Sequence, residues 1–257
     1  MTQEPGSSIL KSIMSAEVSV GTEPQTLDPK LEGLLRAGVH FGYARTRRHP
    51  RMRAFVAGVK SNIEILNLQK IYDQLDRALV FVESLGREGG IILWVGTKPV
   101  ASSPIARVAS ELGHPFINKR WLGGTLTNSK NIRERVAHWQ DLVSKQKSGE
   151  LATKYTKQEQ LMIQREIDRL DTSFNGLIPF TSTPQAMFIV DTKEEGNALH
   201  EARLKKIPVI ALLNTDCDPA GVNYAIPGND NAAKSVEFVI EKLKEAYLRG
   251  KQNKSQE

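Results

Sequence analysis

The spacing of hydrophobic and polar residues predicts a chain in which strands and helices alternate. The run Ile91–Val95 is apolar at every position, which is typical of a strand buried on both faces of a parallel sheet. Between Leu68 and Val82 the apolar residues instead recur every three or four positions, which is the spacing of one helix face. The alternation returns after Met187, so we predict an α/β fold with a doubly wound parallel sheet.

The individual elements follow from the same periods and from the residues that interrupt them. Strands are predicted at Phe55–Val59, Ile63–Leu66, Ile91–Val95, Phe116–Asn118, Met187–Val190 and Ile207–Leu213. Helices are predicted at Leu31–Ala37, Ser103–Leu112, Glu194–Lys205 and Asn231–Arg249. A longer helix is predicted to begin at Leu68 and to end at Gly86, Gly89 and Gly90, and Ile226–Gly228 is predicted to form a turn.

Two consecutive helices with no strand between them interrupt the alternation. The first covers Asn128–Lys147, and Thr156-Lys-Gln-Glu159 has the signature of a capping box that opens the second. Each helix has one narrow apolar stripe, which is typical of a helical hairpin that projects like a coiled coil. We therefore predict a hairpin over residues 129–174, inserted into an α/β body formed by residues 29–128 and 175–250.

Both ends of the chain are predicted to lie outside the folded body. Residues 1–28 carry more acidic than basic side chains and are rich in Pro, Ser and Thr, so we expect a flexible acidic tail with a short helical turn near Ile9–Met14. The segment has neither the basic and apolar regions of a secretory signal nor the arginines of a transit peptide. Residues 251–257 are expected to form a disordered C-terminal tail.

The composition excludes several classes of protein. The 257 residues include one cysteine, Cys217, which rules out an internal disulfide and a multi-cysteine zinc site and fits a reducing compartment. Hydrophobic residues make up 40% and charged residues 25%, which is ordinary for a folded domain. The longest apolar runs are far shorter than the ~20 residues that a membrane-spanning helix needs.

The positive charge is concentrated in one segment. Lys and Arg number 35 against 29 Asp and Glu, and residues 31–60 alone contain seven basic residues against Glu32. The segment Arg45–Arg53, called the basic loop from here on, contains Pro50, which argues against a regular helix. Its arginines are Arg45, Arg47, Arg48, Arg51 and Arg53. Either they form a solvated loop or they neutralise the phosphates of a polyanion.

The segment Lys119–Asn128 adds a second group of residues suited to RNA. Lys119 and Arg120 are cations, and the ring of Trp121 could stack on a base. The alternative is a simple turn in which Asn128 caps the following helix. Together with the basic loop, this segment favours RNA binding, and Lys98 is a further, weaker candidate contact.

Two other functions are compatible with the residues. Gly96–Lys98 follows a strand and precedes a helix, where phosphate-binding loops occur, although it matches neither common phosphate-loop motif, so a phosphometabolite site is one alternative. Asp191 and Asn214–Asp218 follow other strands and are equally explained as helix caps and turn formers. Two aspartates flank Cys217 and disfavour a thiolate nucleophile, and the histidines show no metal-ligand spacing. The other alternative is that the hairpin recruits protein partners.

Several short motifs occur in an order that resembles one protein family. They are Gly38–Gly42, Pro50–Met52, Leu68–Lys70, Val95–Lys98, Arg120–Asn128, Val190–Thr192, Cys217–Pro219 and Ile226–Asp230. The most specific is Arg-Trp-Leu-Gly-Gly-Thr-Leu-Thr-Asn at Arg120–Asn128. On these motifs the chain from Leu31 to Tyr247 resembles the bacterial-type small-subunit ribosomal protein two family.

The resemblance implies a flavodoxin-like sheet with a protruding coiled coil and a structural, non-enzymatic role in the small ribosomal subunit. The implied partners are small-subunit rRNA and neighbouring ribosomal proteins, including the large mRNA-binding one, which the family helps to recruit. No cofactor, small-molecule substrate or membrane is expected. The resemblance fits both bacterial and organellar proteins, and the lack of an Arg-rich presequence favours the bacterial cytoplasm.

We carry over no metal site, because the chain departs from the family pattern at Tyr43, His49, Asn67 and Asn214. As a hypothesis, the arginines of the basic loop contact phosphates, and Lys119, Arg120 and Trp121 contact rRNA at the root of the insert.

Overall fold

The computed structural model describes residues 29–254, and its central element is a parallel β-sheet. The strands along this part of the chain are β1 (Phe41–Ala44), β2 (Val56–Lys60), β3 (Ile63–Leu66), β4 (Ile92–Val95), β5 (Phe116–Ile117), β6 (Ala186–Val190), β7 (Val209–Leu213) and β8 (Tyr224–Pro227). The α-helices are α1 (Pro29–Arg36), α2 (Leu68–Glu88), α3 (Pro99–Leu112), α4 (Ser129–Lys147), α5 (Glu150–Lys154), α6 (Lys157–Phe174), α7 (Gly196–Leu204) and α8 (Ala233–Lys254).

The parallel sheet has five strands in the order β5-β4-β6-β7-β8. Its first strand along the chain lies beside its second and its third, which is the flavodoxin-like order with the topological switch point between β4 and β6. The predicted α/β fold with a doubly wound parallel sheet is therefore confirmed. The predicted tail at residues 1–28, including the turn near Ile9–Met14, lies outside the described residues.

Alternate side chains of each central strand enter two separate hydrophobic clusters. In β6, Phe188 and Val190 pack in the cluster that contains residues of α2, α3 and α8. Met187 and Ile189 point to the opposite face and pack with residues of α4, α6 and α7. Every residue of β4, β6 and β7 is buried, which explains why these strands read as unbroken apolar runs in the sequence.

Helices α2 and α8 cross closely at two glycines. A Cβ at Gly86 would overlap the carbonyl oxygen of Tyr247, and a Cβ at Gly250 would overlap that of Glu83. Gly86 was predicted to end the helix, and this is wrong, because Gly86 is inside α2 and is needed for the close approach. The helix ends at Gly89, which adopts a left-handed conformation with φ of 74°.

The largest differences from the prediction concern two strands and two helix ends. Ile226–Gly228 was predicted as a turn, but Tyr224–Pro227 is strand β8 at the edge of the sheet, where a proline is tolerated. Strand β1 was not predicted. Helix α3 begins at Pro99 rather than Ser103, because Pro fits the first turn of a helix. Helix α8 continues to Lys254, so residues 251–254 are helical and not part of a disordered tail.

The segment between β5 and β6 contains α4, α5 and α6, and α4 contacts α6. The predicted capping box is confirmed, since the Thr156 hydroxyl accepts from the Glu159 N–H and the Glu159 carboxylate accepts from the Thr156 N–H. Side chains of α4 and α6, such as Trp139 and Phe174, are buried in the same cluster as Met187 of the sheet. The stripes thus pack against the body at least in part, and a coiled coil that projects from it stays a prediction.

In the described part of the chain, no helix combines the length and the apolar character that crossing a membrane would require.

A buried histidine links the sheet to α8. The Trp94 indole N–H donates to His114 Nδ1 at 3.3 Å, and the Tyr247 ring packs against the His114 ring with 4.7 Å between centroids. Burial, aided by the charge of Lys251, lowers the pKa of His114 to about 4. Burial also lowers the pKa of His40.

We expect acidification to destabilise the fold through these histidines. In the unfolded chain the His114 imidazole binds a proton near pH 6.5, whereas in the folded chain it does so only near pH 4. The contribution to the free energy of unfolding is therefore complete above pH 6.5 and is lost as the pH falls towards 4. For His114 alone the loss between pH 7 and pH 5 is about 2 kcal/mol. In urea denaturation at both pH values, His114→Gln should lose less stability than the wild type, with exposed His138→Gln as the control. Equal losses in all three proteins would contradict this.

Candidate nucleic-acid interface

The basic loop consists of two short 3₁₀ helices, Arg45–Arg47 and Pro50–Phe55, so it contains no regular α-helix. It is held by the turn that follows β7. The Thr215 carbonyl accepts from the His49 N–H at 2.8 Å, and the Thr215 hydroxyl accepts from the Tyr43 N–H at 3.0 Å. These bonds place the loop at the carboxyl edge of the parallel sheet, where ligands of such sheets usually bind.

Carboxylates fix three of the five arginines of the loop. Arg48 pairs with buried Glu64 at 2.9 Å. Arg51 pairs with Asp218 at 2.8 Å and keeps 62% of its side chain exposed. The third, Arg47, lies 3.9 Å from Asp216. These pairs orient the side chains and leave Arg51 open to a second, external anion.

Arg45 and Arg53 differ from the other three arginines. Both are exposed, and neither side chain has a hydrogen bond or ion pair with any residue between 29 and 254. Their guanidinium groups can therefore accept an external phosphate without first breaking an internal pair. Met52 between them is fully buried, and it anchors the loop in the same apolar cluster as Trp121.

Trp121 and the loop after it are organised by one buried carboxylate from α7. Glu201 accepts from the Trp121 indole N–H at 2.9 Å and from the backbone N–H of Gly124 at 2.8 Å. It also accepts from the backbone N–H groups of Leu126 and Thr127 at 3.0 Å each and from the Thr127 hydroxyl. Burial alone would raise the pKa of Glu201, but these donors outweigh it and lower the pKa. The carboxylate thus holds the loop that leads into α4, and the cap that Asn128 was expected to provide is not formed, since the Asn128 side chain makes no capping bond.

The segment at the root of the helices separates into buried and exposed residues. Trp121 is buried and its N–H is already bonded, so its position fits a structural role and does not favour stacking on a base. Lys119 and Arg120 are exposed and line a cleft of about 260 Å³ that also includes Asp171 and Ser173. Of the three predicted contacts here, these two are available to a partner.

Lys98 lies in a buried ionic cluster at the carboxyl edge. Its ammonium group is 2.5 Å from both Asp191 and Asp230. Burial opposes the charge, but the two carboxylates outweigh burial and raise the pKa of Lys98. Next to it, the Thr97 N–H donates to Glu195 at 2.8 Å. An incoming phosphate would face these three carboxylates, so the geometry favours neither a phosphometabolite site nor an RNA contact at Lys98.

Cys217 is buried beside the same cluster. Its Sγ donates to Asp191 Oδ1 at 3.1 Å, and burial together with the Asp191 charge raises the pKa of the thiol to about 12. Both effects disfavour a thiolate, in the same direction as the aspartates that flank this cysteine in the sequence. Over residues 29–254, no group of three or more His, Cys, Asp or Glu side chains is arranged to hold a metal ion.

Comparison with known proteins identifies the family. A family model described as ribosomal protein S2 matches residues 34–250. The chain belongs to the ribosomal protein S2 family. It is 39% identical over 224 residues to a protein of Coprothermobacter proteolyticus named small ribosomal subunit protein uS2, which covers 87% of this chain and 83% of that one. Proteins with the same name from Acidothermus cellulolyticus and Maricaulis maris are each 40% identical, covering 86% and 87% of this chain and 80% and 77% of their own.

Family membership confirms the resemblance found in the motifs. The S2 relatives are named as ribosomal proteins of the small subunit and not as enzymes.

Sequence reasoning missed the acidic residues that organise this surface. Glu201 was not singled out, although its position between buried Ala198 and Ala202 on α7 is a detectable signal, because a carboxylate on an apolar helix face needs donors. Glu64, Asp216 and Asp218 were missed as arginine partners because their contacts are set by the fold.

We expect Glu201→Gln to destabilise the protein by roughly 2–4 kcal/mol, because the amide would turn a donor towards buried N–H groups and lose the negative charge. Urea denaturation measures this difference. Glu194→Gln, an exposed change just before the same helix, should have little effect. Equal midpoints for the two variants would show that Glu201 does not organise the loop.

Proposed function

We propose that the chain is a structural constituent of the small ribosomal subunit in the bacterial cytoplasm, and that it binds small-subunit rRNA through the basic loop. The observation that carries the proposal is the arrangement of the loop. Arg45 and Arg53 are exposed without internal partners, while Met52 and Thr215 hold the loop in place. A rigid, positively charged loop at the surface suits the phosphate backbone of a folded RNA.

The other predicted contacts divide according to their exposure. Arg51 and Arg47 are exposed beside their carboxylates, and Lys119 and Arg120 supply a second contact at the root of the helices. Trp121 and Lys98 are not proposed as direct RNA contacts. They stabilise the segments that carry the contact residues. Binding of this kind needs no cofactor and no small-molecule substrate.

We expect the double variant Arg45→Gln with Arg53→Gln to bind small-subunit rRNA more weakly and with less salt dependence. Losing two phosphate contacts should reduce the log–log salt slope by roughly 1.5. Filter binding of the full chain at KCl concentrations from about 50 to about 300 mM measures both the affinity and the salt slope.

The matched control is Arg77→Gln with Arg87→Gln, which makes the same change of charge at exposed positions of α2. If both double variants have the wild-type slope, the basic loop is not the RNA-binding surface. If both double variants reduce the salt slope equally, the net charge of the protein alone accounts for its attraction to RNA.

We further propose that helices α5 and α6 help to recruit the large mRNA-binding ribosomal protein. Tyr155, Leu161 and Met162 are exposed, with Met162 at 64%, which is unusual for three large apolar side chains so close in sequence. A partner protein would bury them.

We expect Leu161→Gln with Met162→Gln to lower the amount of the mRNA-binding protein on purified small subunits roughly tenfold. Mass spectrometry of subunits assembled with the variant measures this amount. Leu204→Gln, at an exposed leucine of α7, is the control. Unchanged occupancy in the double variant would place the recruiting surface elsewhere.

A further inference from the structure

Arg47 differs from the other arginines of the basic loop because an aromatic ring supports it. Its guanidinium carbon lies 4.5 Å from the centroid of the Tyr43 ring. Tyr43 is in β1, and its backbone N–H is bonded to Thr215. The two residues are separated by the short turn into the first 3₁₀ helix, so the backbone fixes their relative position.

One edge of the Arg47 guanidinium already faces a carboxylate. Asp216 Oδ2 lies 3.9 Å from Arg47 Nη2, and the same oxygen accepts from Lys193 Nζ at 3.1 Å. The Asp216 side chain is only 4% exposed, so it does not swing away into solvent. A phosphate that approached this edge would meet a fixed negative charge, which lowers the value of Arg47 as a phosphate contact.

Much of Arg47 remains open to solvent. The side chain is 55% exposed although its guanidinium lies over the Tyr43 ring. A guanidinium is planar and weakly hydrated, and unpaired RNA bases stack on such planes. Because the ring and Asp216 already restrict its rotamers, little conformational entropy remains to be lost when a base binds.

We propose that Arg47, supported by Tyr43, is a stacking platform for an unpaired base of the rRNA, and that it is not one of the phosphate contacts of the loop. The inference rests on the proposed function and specifies the chemistry of one contact within it. It separates Arg47 from Arg45, which is exposed with neither a carboxylate nor a ring beside it in the described chain. Lysine could replace Arg45 as a point charge, whereas it could not replace a plane at Arg47.

The test compares Arg47→Lys with Arg45→Lys in the full chain, by filter binding to small-subunit rRNA over a range of salt. Arg47→Lys should weaken binding roughly tenfold at every salt concentration and leave the salt slope unchanged, because a stacking contact is lost and no charge is removed. Arg45→Lys should weaken binding clearly less than Arg47→Lys, since the charge at a phosphate contact is retained. Tyr43→Leu should bind like Arg47→Lys, because it removes the ring under the guanidinium, and Tyr43→Phe, which retains the ring, should lose less affinity than Tyr43→Leu.

Two results would overturn the inference. One is wild-type affinity for Arg47→Lys together with a reduced salt slope for Arg47→Gln, which would make Arg47 a phosphate contact. The other is an equal loss of affinity for Arg47→Lys and Arg45→Lys. If the proposed function itself were wrong, the result would be different. The double variant Arg45→Gln with Arg53→Gln would then bind RNA like the wild type, as would the variants of Arg47.

Discussion

The proposed RNA-binding surface depends on the hydrogen bonds that Thr215, in the turn after β7, makes with the segment around the basic loop. Thr215 is fully buried, and both its carbonyl and its hydroxyl accept backbone N–H groups of the segment that carries the arginines. On either side of it, Asn214 donates to Asp230 and Asp216 faces Arg47. One short segment therefore joins the parallel sheet, the buried ionic cluster and the basic loop. The loop is thereby tied to the sheet edge by two hydrogen bonds.

Buried or partly buried carboxylates have the same physical role throughout this surface. Glu201 collects the donors of the loop that follows Trp121, and Glu64 holds Arg48. Each carboxylate supplies acceptors that a short, irregular loop cannot find within its own backbone. Arg47, Arg48 and Arg51 are thereby oriented during folding rather than binding, whereas Arg45 and Arg53 have no such pair in the described chain.

Local features of the sequence were sufficient for the sheet but not for the surface. The unbroken run in β4 predicts a strand buried on both faces, and Thr156 with Glu159 predicts a helix start, because both signals depend on neighbouring residues. The burial of Trp121 could not be predicted in the same way, since its partner Glu201 is 80 residues away. Gly86 was misread for a related reason, because glycine in a helix looks like a terminus until the crossing with α8 is known.

The order of the elements along the chain has a consequence for biosynthesis, because β8 and α8 follow the segments that they complete. Val236, Val239 and Leu243 fill one face of the sheet, and they are translated after almost everything they pack against. Thr215 also emerges long after the basic loop that it holds. A nascent chain that has not yet reached α8 consequently lacks both a closed core on that face of the sheet and, before Thr215 is translated, the turn that holds the cationic loop. A defined surface for RNA therefore depends on segments that are translated well after the arginines themselves.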